Sequence, residues 1–375
     1  MLNGIDNLNE IKELIKGKRC GLITNPTGVN KTLEADGDLL LEHLSCFFGP
    51  EHGIRGIIQD ELHVENSVDP VTGLPEFSLY GAHLAPTEEM LENVDCLIFD
   101  IQDVGVRFYT YSTTMAKSME AAAKNGVSFI VLDRYNPLGR RVSGILPGVD
   151  FRSFISYLDV TTQHGMTVGE LALMHKKLHC PNLDLHIVKV RDWDPNSMPG
   201  DGDTSILWVP PSPNMPTRQC TWVYPGTCLI EGTSISEGRG TTKPFETIGA
   251  PWINAQKLAR AMNDKKLPGF IFRPTGYIPL EFKHKDVPCE GVQVHVTDPY
   301  IIDPVRMGVH LIDTLRTQSG DNFTFRGLPE YKNYMTDLLH GDDGLRSGKP
   351  IEEIFAQMDK DEAKFKEISS EFYLY

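Results

Sequence analysis

Residues 48–56 read FGPEHGIRG, placing an acid, Glu51, an imidazole, His52, and a guanidinium, Arg55, in one short stretch between glycines. Glycine lets the chain take tight and left-handed paths that other residues avoid. Gly-Pro also marks the end of the apolar run 44–48. A carboxyl group beside such a turn can be met closely by a ligand. If burial or a neighbouring carboxylate raises its pKa, it can hold a proton near neutral pH and give it to a departing oxygen. That is the demand of glycoside hydrolysis, which also needs a second group to attack the sugar or to activate water.

Further polar residues follow other apolar runs. Asn25 comes after the run 19–24; Asp100, Gln102, Asp103 and Arg107 after the run beginning at 95; Asp133, Arg134 and Asn136 after 127–132. In an open parallel sheet, ligands bind beyond the carboxyl ends of the strands, so four strand ends would converge on one rim. Asp and Asn in such places also cap turns and helices. On this reading Glu51 is the general acid, with Asp100, Asp103 or Glu237 as partner carboxylate. Arg107 or Arg239 would grip an anionic group in bidentate fashion, and Tyr109, Tyr111 and Tyr224 would stack on sugar faces.

Other chemistries lack their signatures. No G-x-G-x-x-G follows the first strand, and SEGRGTTKP lacks the Gly-Lys-Ser/Thr of a phosphate loop. There is no G-x-S-x-G elbow and no HExxH. His43, His52, His63 and His164 are scattered without metal-ligand spacing. No cofactor and no metal are expected. Seven cysteines without a CxxC read as buried thiols rather than a disulfide framework or a zinc site.

The elements that must position these residues alternate in type. Continuously apolar strands are expected at 19–24, 44–49, 95–105, 127–134 and 185–190, with helices at 113–126 and 164–178. In the second of these helices Thr167 and Glu170 form a capping box. Apolar strands alternating with helices point to an α/β fold whose parallel sheet is covered on both faces. The segment WVPPSPNMPT (208–217) carries four prolines and can be neither helix nor central strand. The domain boundary is placed there. Beyond it lies a Gly/Thr/Ser-rich stretch, 224–252, holding Glu231, Glu237, Arg239 and Glu246. Helices are expected near 254–265 and 304–317, the latter opened by Asp303 and Pro304, and again at the C-terminus.

The chain has 375 residues, 40% of them hydrophobic, and a formal charge of −15 from 51 acids and 36 bases. That balance argues against a nucleic-acid partner, which needs a concentrated basic face. No run is long and apolar enough for a membrane span. The polar N-terminus lacks the pattern of a signal peptide; the chain as given reads as cytoplasmic, or as exported should a leader precede it.

Seven segments, GLITNPTGV, FGPEHGIRG, LIFDIQDVGVRFYTY, LDRYNPLG, HGMTVGELA, WVPPSPNMPT and YPGTCLIEGTSISEGRGTTKPFE, occur in this order. Together they resemble the NamZ family of exo-β-N-acetylmuramidases, long filed as a domain of unknown function. The resemblance implies a Rossmann-like catalytic N-terminal domain (1–217) and a smaller α/β or α+β auxiliary domain (218–375), with the site in the cleft between them. It implies removal of terminal β-linked N-acetylmuramic acid from muropeptides or MurNAc-GlcNAc fragments, with the catalytic glutamate of the PEHG motif falling on Glu51. Asn25, His52, Arg55, Arg107, Tyr109, Asn136, His164, Asn214, Glu231, Glu237 and Arg239 are the expected substrate contacts. Tyr135 and Arg140 stand where the family more usually has Pro and Gly, and Ser234 where Asn is common. Those departures leave open a related β-N-acetylhexosaminidase, a non-catalytic wall-fragment sensor, or a metal-assisted hydrolase using His52, Asp100 and Asp103.

Overall fold

The computed structural model describes residues 1–56, 67–197, 207–329 and 332–375, so His63 lies outside the described residues. Among these, seven strands form one sheet: β1 (Cys20–Thr24), β2 (Leu44–Gly49), β3 (Ser67–Val68), β4 (Pro75–Ser78), β5 (Cys96–Asp100), β6 (Ser128–Leu132) and β7 (Leu185–Val188). Their order is β3-β4-β2-β1-β5-β6-β7, and every pairing is parallel except β3 with β4.

The strands are apolar at successive positions because both faces are covered. Leu22, Phe47, Ile98 and Ile130 join one core with Ile5, Ile11 and Ile15 of the N-terminal segment. Their neighbours Ile23, Phe48, Phe99 and Val131 join the other, with Met115, Met119, Leu171 and Met174. Adjacent side chains of a strand point to opposite faces, so a doubly covered sheet needs apolar residues at every position. The helices on the second face are Thr110–Asn125 and Val168–His179. The first starts three residues before its expected boundary and ends on Gly126, whose φ is 69°. The second carries the expected capping box: Thr167 Oγ1 accepts from the Glu170 amide at 3.2 Å, and the Thr167 amide donates to Glu170 Oε2 at 3.0 Å.

A second, antiparallel sheet of order β8-β10-β9 is built from β8 (Thr247–Ala250), β9 (Phe270–Tyr277) and β10 (Cys289–Val296). Helices Arg218–Thr227 and Pro304–Ser319 pack beside it through a pair of glycines. A Cβ on Gly226 would meet the Pro304 carbonyl oxygen at 1.8 Å, and one on Gly308 would meet Gly226 Cα at 2.5 Å. Asp303 caps the longer helix, its carboxylate accepting from the Arg306 amide at 3.0 Å, with Pro304 at the first position.

The larger core continues from the parallel sheet into this second lobe. The terminal helix Ile351–Ser370 returns to the first lobe, where Glu362 accepts from the Gly144 amide at 3.1 Å and Tyr375 donates to Asp133 at 2.7 Å. All seven cysteines are buried and unbridged. No helix among the described residues is long and apolar enough to cross a membrane.

Candidate active site

β2 ends at Gly49, and the chain reverses at once: the Gly53 amide donates to the Pro50 carbonyl at 2.9 Å. Glu51 and His52 are the two central residues of that turn. His52 has a φ of 72°, a left-handed conformation that side chains normally avoid. Such strain survives only where the surroundings enforce it, and it gathers at functional sites. The turn aims Glu51 at the start of the Thr110–Asn125 helix, where Thr110 donates its hydroxyl to Glu51 Oε2 at 2.7 Å.

Glu51 opens into a cavity of about 870 Å³, counting its open mouth, lined from both lobes. Pockets for small molecules span about 300–1,000 Å³. One wall is aromatic. Tyr109 meets Tyr111 edge-on at 5.1 Å and Tyr224 at 6.0 Å, and Tyr224 meets Phe245 at 4.7 Å. The proline-rich segment forms another, contributing Ser212, Asn214 and Met215. Tyr109 donates to Ser212 Oγ at 3.0 Å and Tyr111 to the Pro211 carbonyl at 2.5 Å, so the prolines make a stiff wall rather than a slack linker.

The second lobe supplies Glu231 and Arg239. Arg239 is held from behind. Its Nε donates to Glu237 at 2.6 Å, and its guanidinium lies 4.4 Å from the centre of the Phe282 ring. Lys283 Nζ grips the other oxygen of Glu237 at 2.8 Å. Burial opposes the charge on Glu237, but Lys283 and Arg239 outweigh it and hold the carboxyl at about 2. Glu237 is therefore a fixed anion that orients Arg239.

Of the residues expected from sequence, Glu51, His52, Tyr109, Asn214, Glu231 and Arg239 line the cavity together. Glu237 stands one layer behind. The others have structural partners that occupy them elsewhere. Asp100, expected as a catalytic partner, is fully buried against Arg134 at 2.5 and 3.0 Å. Asp103 accepts from the Gly105 amide at 2.6 Å and faces His164 Nε2 at 3.3 Å, which commits both to the loop after β5. Arg107, expected to grip substrate, is wholly buried. It donates to the carbonyls of Ile145, Val160, Leu339 and His340 at 2.7, 3.0, 2.9 and 2.7 Å, fastening the two lobes together. Burial, helped by the charge of Arg152, lowers its pKa to about 9.

Asn25 caps its own turn through Thr27 at 2.9 Å, and Asn136 is spent on the Met166 carbonyl at 3.0 Å and the Leu138 amide at 2.8 Å. Arg55 makes a bidentate pair with Asp69 at 2.9 Å to each oxygen. In each case the short polar residue after a strand serves the turn, as such residues often do. Among the described residues, no group of three or more His, Cys, Asp or Glu is arranged to hold a metal ion. Tyr135, Arg140 and Ser234 do not line the cavity. Arg140 pairs with Glu170 at 2.6 Å, and Ser234 bonds the Asn322 carbonyl at 2.8 Å.

Sequence reasoning missed Thr110, Phe282 and Lys283. Thr110 becomes legible only once the helix is known to start there. The other two lie in a loop with no apolar period to mark it.

A carboxylate set on a strained turn, an aromatic wall and a braced arginine in a crevice between two lobes define a carbohydrate-directed hydrolase of the α/β class. The chain belongs to the exo-β-N-acetylmuramidase NamZ family: the model of its N-terminal domain matches residues 20–219 and that of its C-terminal domain residues 222–375. It is 44% identical to the peptidoglycan β-N-acetylmuramidase NamZ of Bacillus subtilis, over 99% of this chain and 91% of that protein. Two crystal structures of DUF1343 family proteins from Bacteroides fragilis are similar over 100% of this chain and 98% of theirs. One has a TM-score of 0.89 at 34% identity, the other 0.75 at 28%.

Proposed function

We propose that this cavity removes β-linked N-acetylmuramic acid from the end of peptidoglycan saccharide fragments, with Glu51 as general acid. The observation that carries the reading is the placement of Glu51: a carboxylate on an enforced turn, oriented by Thr110, facing an aromatic-walled cavity between the lobes. Tyr109 and Tyr224 offer faces for a sugar ring. His52 and Asn214 offer polar groups to hydroxyls and to the acetamido group. Arg239, braced by Glu237, is the cation available in the wall for the lactyl carboxylate.

Muropeptide saccharides of defined ends test this. Mass spectrometry of the products should show free N-acetylmuramic acid from chains ending in that sugar at the non-reducing end. Chains ending in N-acetylglucosamine should stay intact. Internal cleavage, or release of glucosamine ends at a similar rate, would overturn the reading.

Thr110 positions the acid, so its hydroxyl has a measurable share. Thr110→Val should lower kcat by about 10–100-fold, the worth of a hydrogen bond to a charged group, and Thr110→Ser should restore most of it. A Val variant with unchanged kcat would remove Thr110 from the account.

A further inference from the structure

Glycoside hydrolysis needs two groups, and the catalytic partners expected from sequence, Asp100 and Asp103, are occupied elsewhere. The cavity-lining residues include two acids, Glu51 from the first lobe and Glu231 from the second. We propose that Glu231 is the second catalytic carboxylate, acting on the α face of the anomeric carbon while Glu51 serves the leaving oxygen on the β face. This rests on the muramidase reading above.

Glu231 lies in the short turn Cys228–Gly232, whose backbone is fixed on several sides. The Ile230 carbonyl accepts from Lys283 Nζ at 3.0 Å, and the Gly232 carbonyl accepts from the Arg326 amide at 2.8 Å. Gly232 itself is pressed on Thr336, where a Cβ would meet Oγ1 at 2.1 Å. A catalytic group must be held within a fraction of an ångström, and such a turn does that. Arg239 NH1 stands 3.9 Å from Glu231 Oε1, a cation beside the carboxylate. The two acids flank one aromatic pair. Burial raises the phenols of Tyr109 and Tyr224 well above their usual range; among the further causes, the charge of Glu51 adds to the first and that of Glu231 to the second. The rings are 6.0 Å apart.

The step balances as follows. The bond from C1 to the aglycone oxygen breaks, its electron pair goes to that oxygen, and the proton of Glu51 joins it. On the α face C1 gains an oxygen lone pair. If a water supplies it, the proton of that water passes to Glu231 and returns to Glu51 through solvent. If Glu231 itself supplies it, the resulting ester is cleaved by water, and Glu51 takes the proton of that water.

The test is Glu231→Ala acting on an aryl β-N-acetylmuramide, with and without sodium azide, beside the wild type. The variant should lose about 10²–10⁴ of kcat. Azide should restore turnover and yield the α-glycosyl azide, a product that a merely structural role would not give. A folded Glu231→Ala that keeps its rate, or that azide neither accelerates nor converts to the α-azide, would overturn the proposal. Should Glu231→Ala fail to fold, the isosteric Glu231→Gln replaces it; it should be inactive at an unchanged melting temperature, and wild-type turnover in it would equally overturn the proposal. If the wild type cleaves no β-muramide, the parent reading falls and this one with it. If the wild type cleaves and Glu231→Gln does too, this proposal alone falls.

Discussion

Glu51→Gln should lower kcat on a saccharide substrate by about 10²–10⁴, the range that a positioned proton donor contributes. Glutamine keeps the shape of the side chain and can still accept from the Thr110 hydroxyl that reaches Glu51 Oε2 at 2.7 Å, so the turn should stand. What it cannot do is deliver a proton. The loss should therefore depend on the leaving group. A sugar alkoxide leaves poorly without protonation, and the full deficit should appear. An aryl oxide leaves without one, and the deficit should shrink by an order of magnitude or more. A purely structural defect would depress both substrates equally. Steady-state rates on a disaccharide and on an aryl β-muramide, with circular dichroism to confirm folding, make the distinction.

The second large effect concerns the scaffold. Arg134→Met should cost about 3–5 kcal/mol, as removal of one partner from a buried ion pair typically does. Arg134 is 4% exposed and holds the fully buried Asp100 at 2.5 Å, with buried Asp36 close by. Burial raises the pKa of Asp100, and Arg134 is the main force pulling it back. Burial, then the charge of Asp100, also raises Asp36. Without the guanidinium, two carboxylates would sit in the core with little to offset them. At about 2–4 °C per kcal/mol for a domain of this size, the melting temperature should fall by about 6–20 °C.

The pH dependence has a definite sign. The folded-state pKa of Asp100 lies above its unfolded value and would rise further in the variant. Its ionised form is then what destabilises the fold, so the deficit should be greatest near neutrality and should shrink as pH falls through the carboxylate range. Arg134→Met/Asp100→Asn should regain part of the loss. A single variant that melts like the wild type would show that the pair contributes nothing.

Much of the first lobe was legible in sequence for one reason. Strands buried on both faces must be apolar at every position, and Cys20–Thr24, Leu44–Gly49, Cys96–Asp100 and Ser128–Leu132 are close to that. The capping box at Thr167 and the Asp303-Pro304 helix start were legible because their chemistry is local. The site was legible in part. Glu51 and His52 stand in a turn whose glycines and proline advertise a constrained path.

Asp100, Asp103, Asn25, Asn136 and Arg107 failed as substrate groups because their roles depend on partners far away in the chain. Arg107 meets carbonyls more than two hundred residues downstream, at Leu339 and His340. Asp100 meets Arg134 across the sheet. Polar residues after strands serve turns or ligands alike, and only the packing decides which. Glu231 and Arg239 were visible as charges in a Gly-rich stretch. Their joint placement opposite the first lobe follows from the second sheet and the Gly226/Gly308 helix contact, which no local pattern announces.

The central claim is that the cavity acts on N-acetylmuramic acid and reads its lactyl group. It is tested most directly by the purified protein on two aryl glycosides that differ only in that group, a β-N-acetylmuramide and the matching β-N-acetylglucosaminide. The account predicts hydrolysis of the muramide with little or none of the glucosaminide. Equal cleavage of both, or cleavage of the glucosaminide alone, would contradict it.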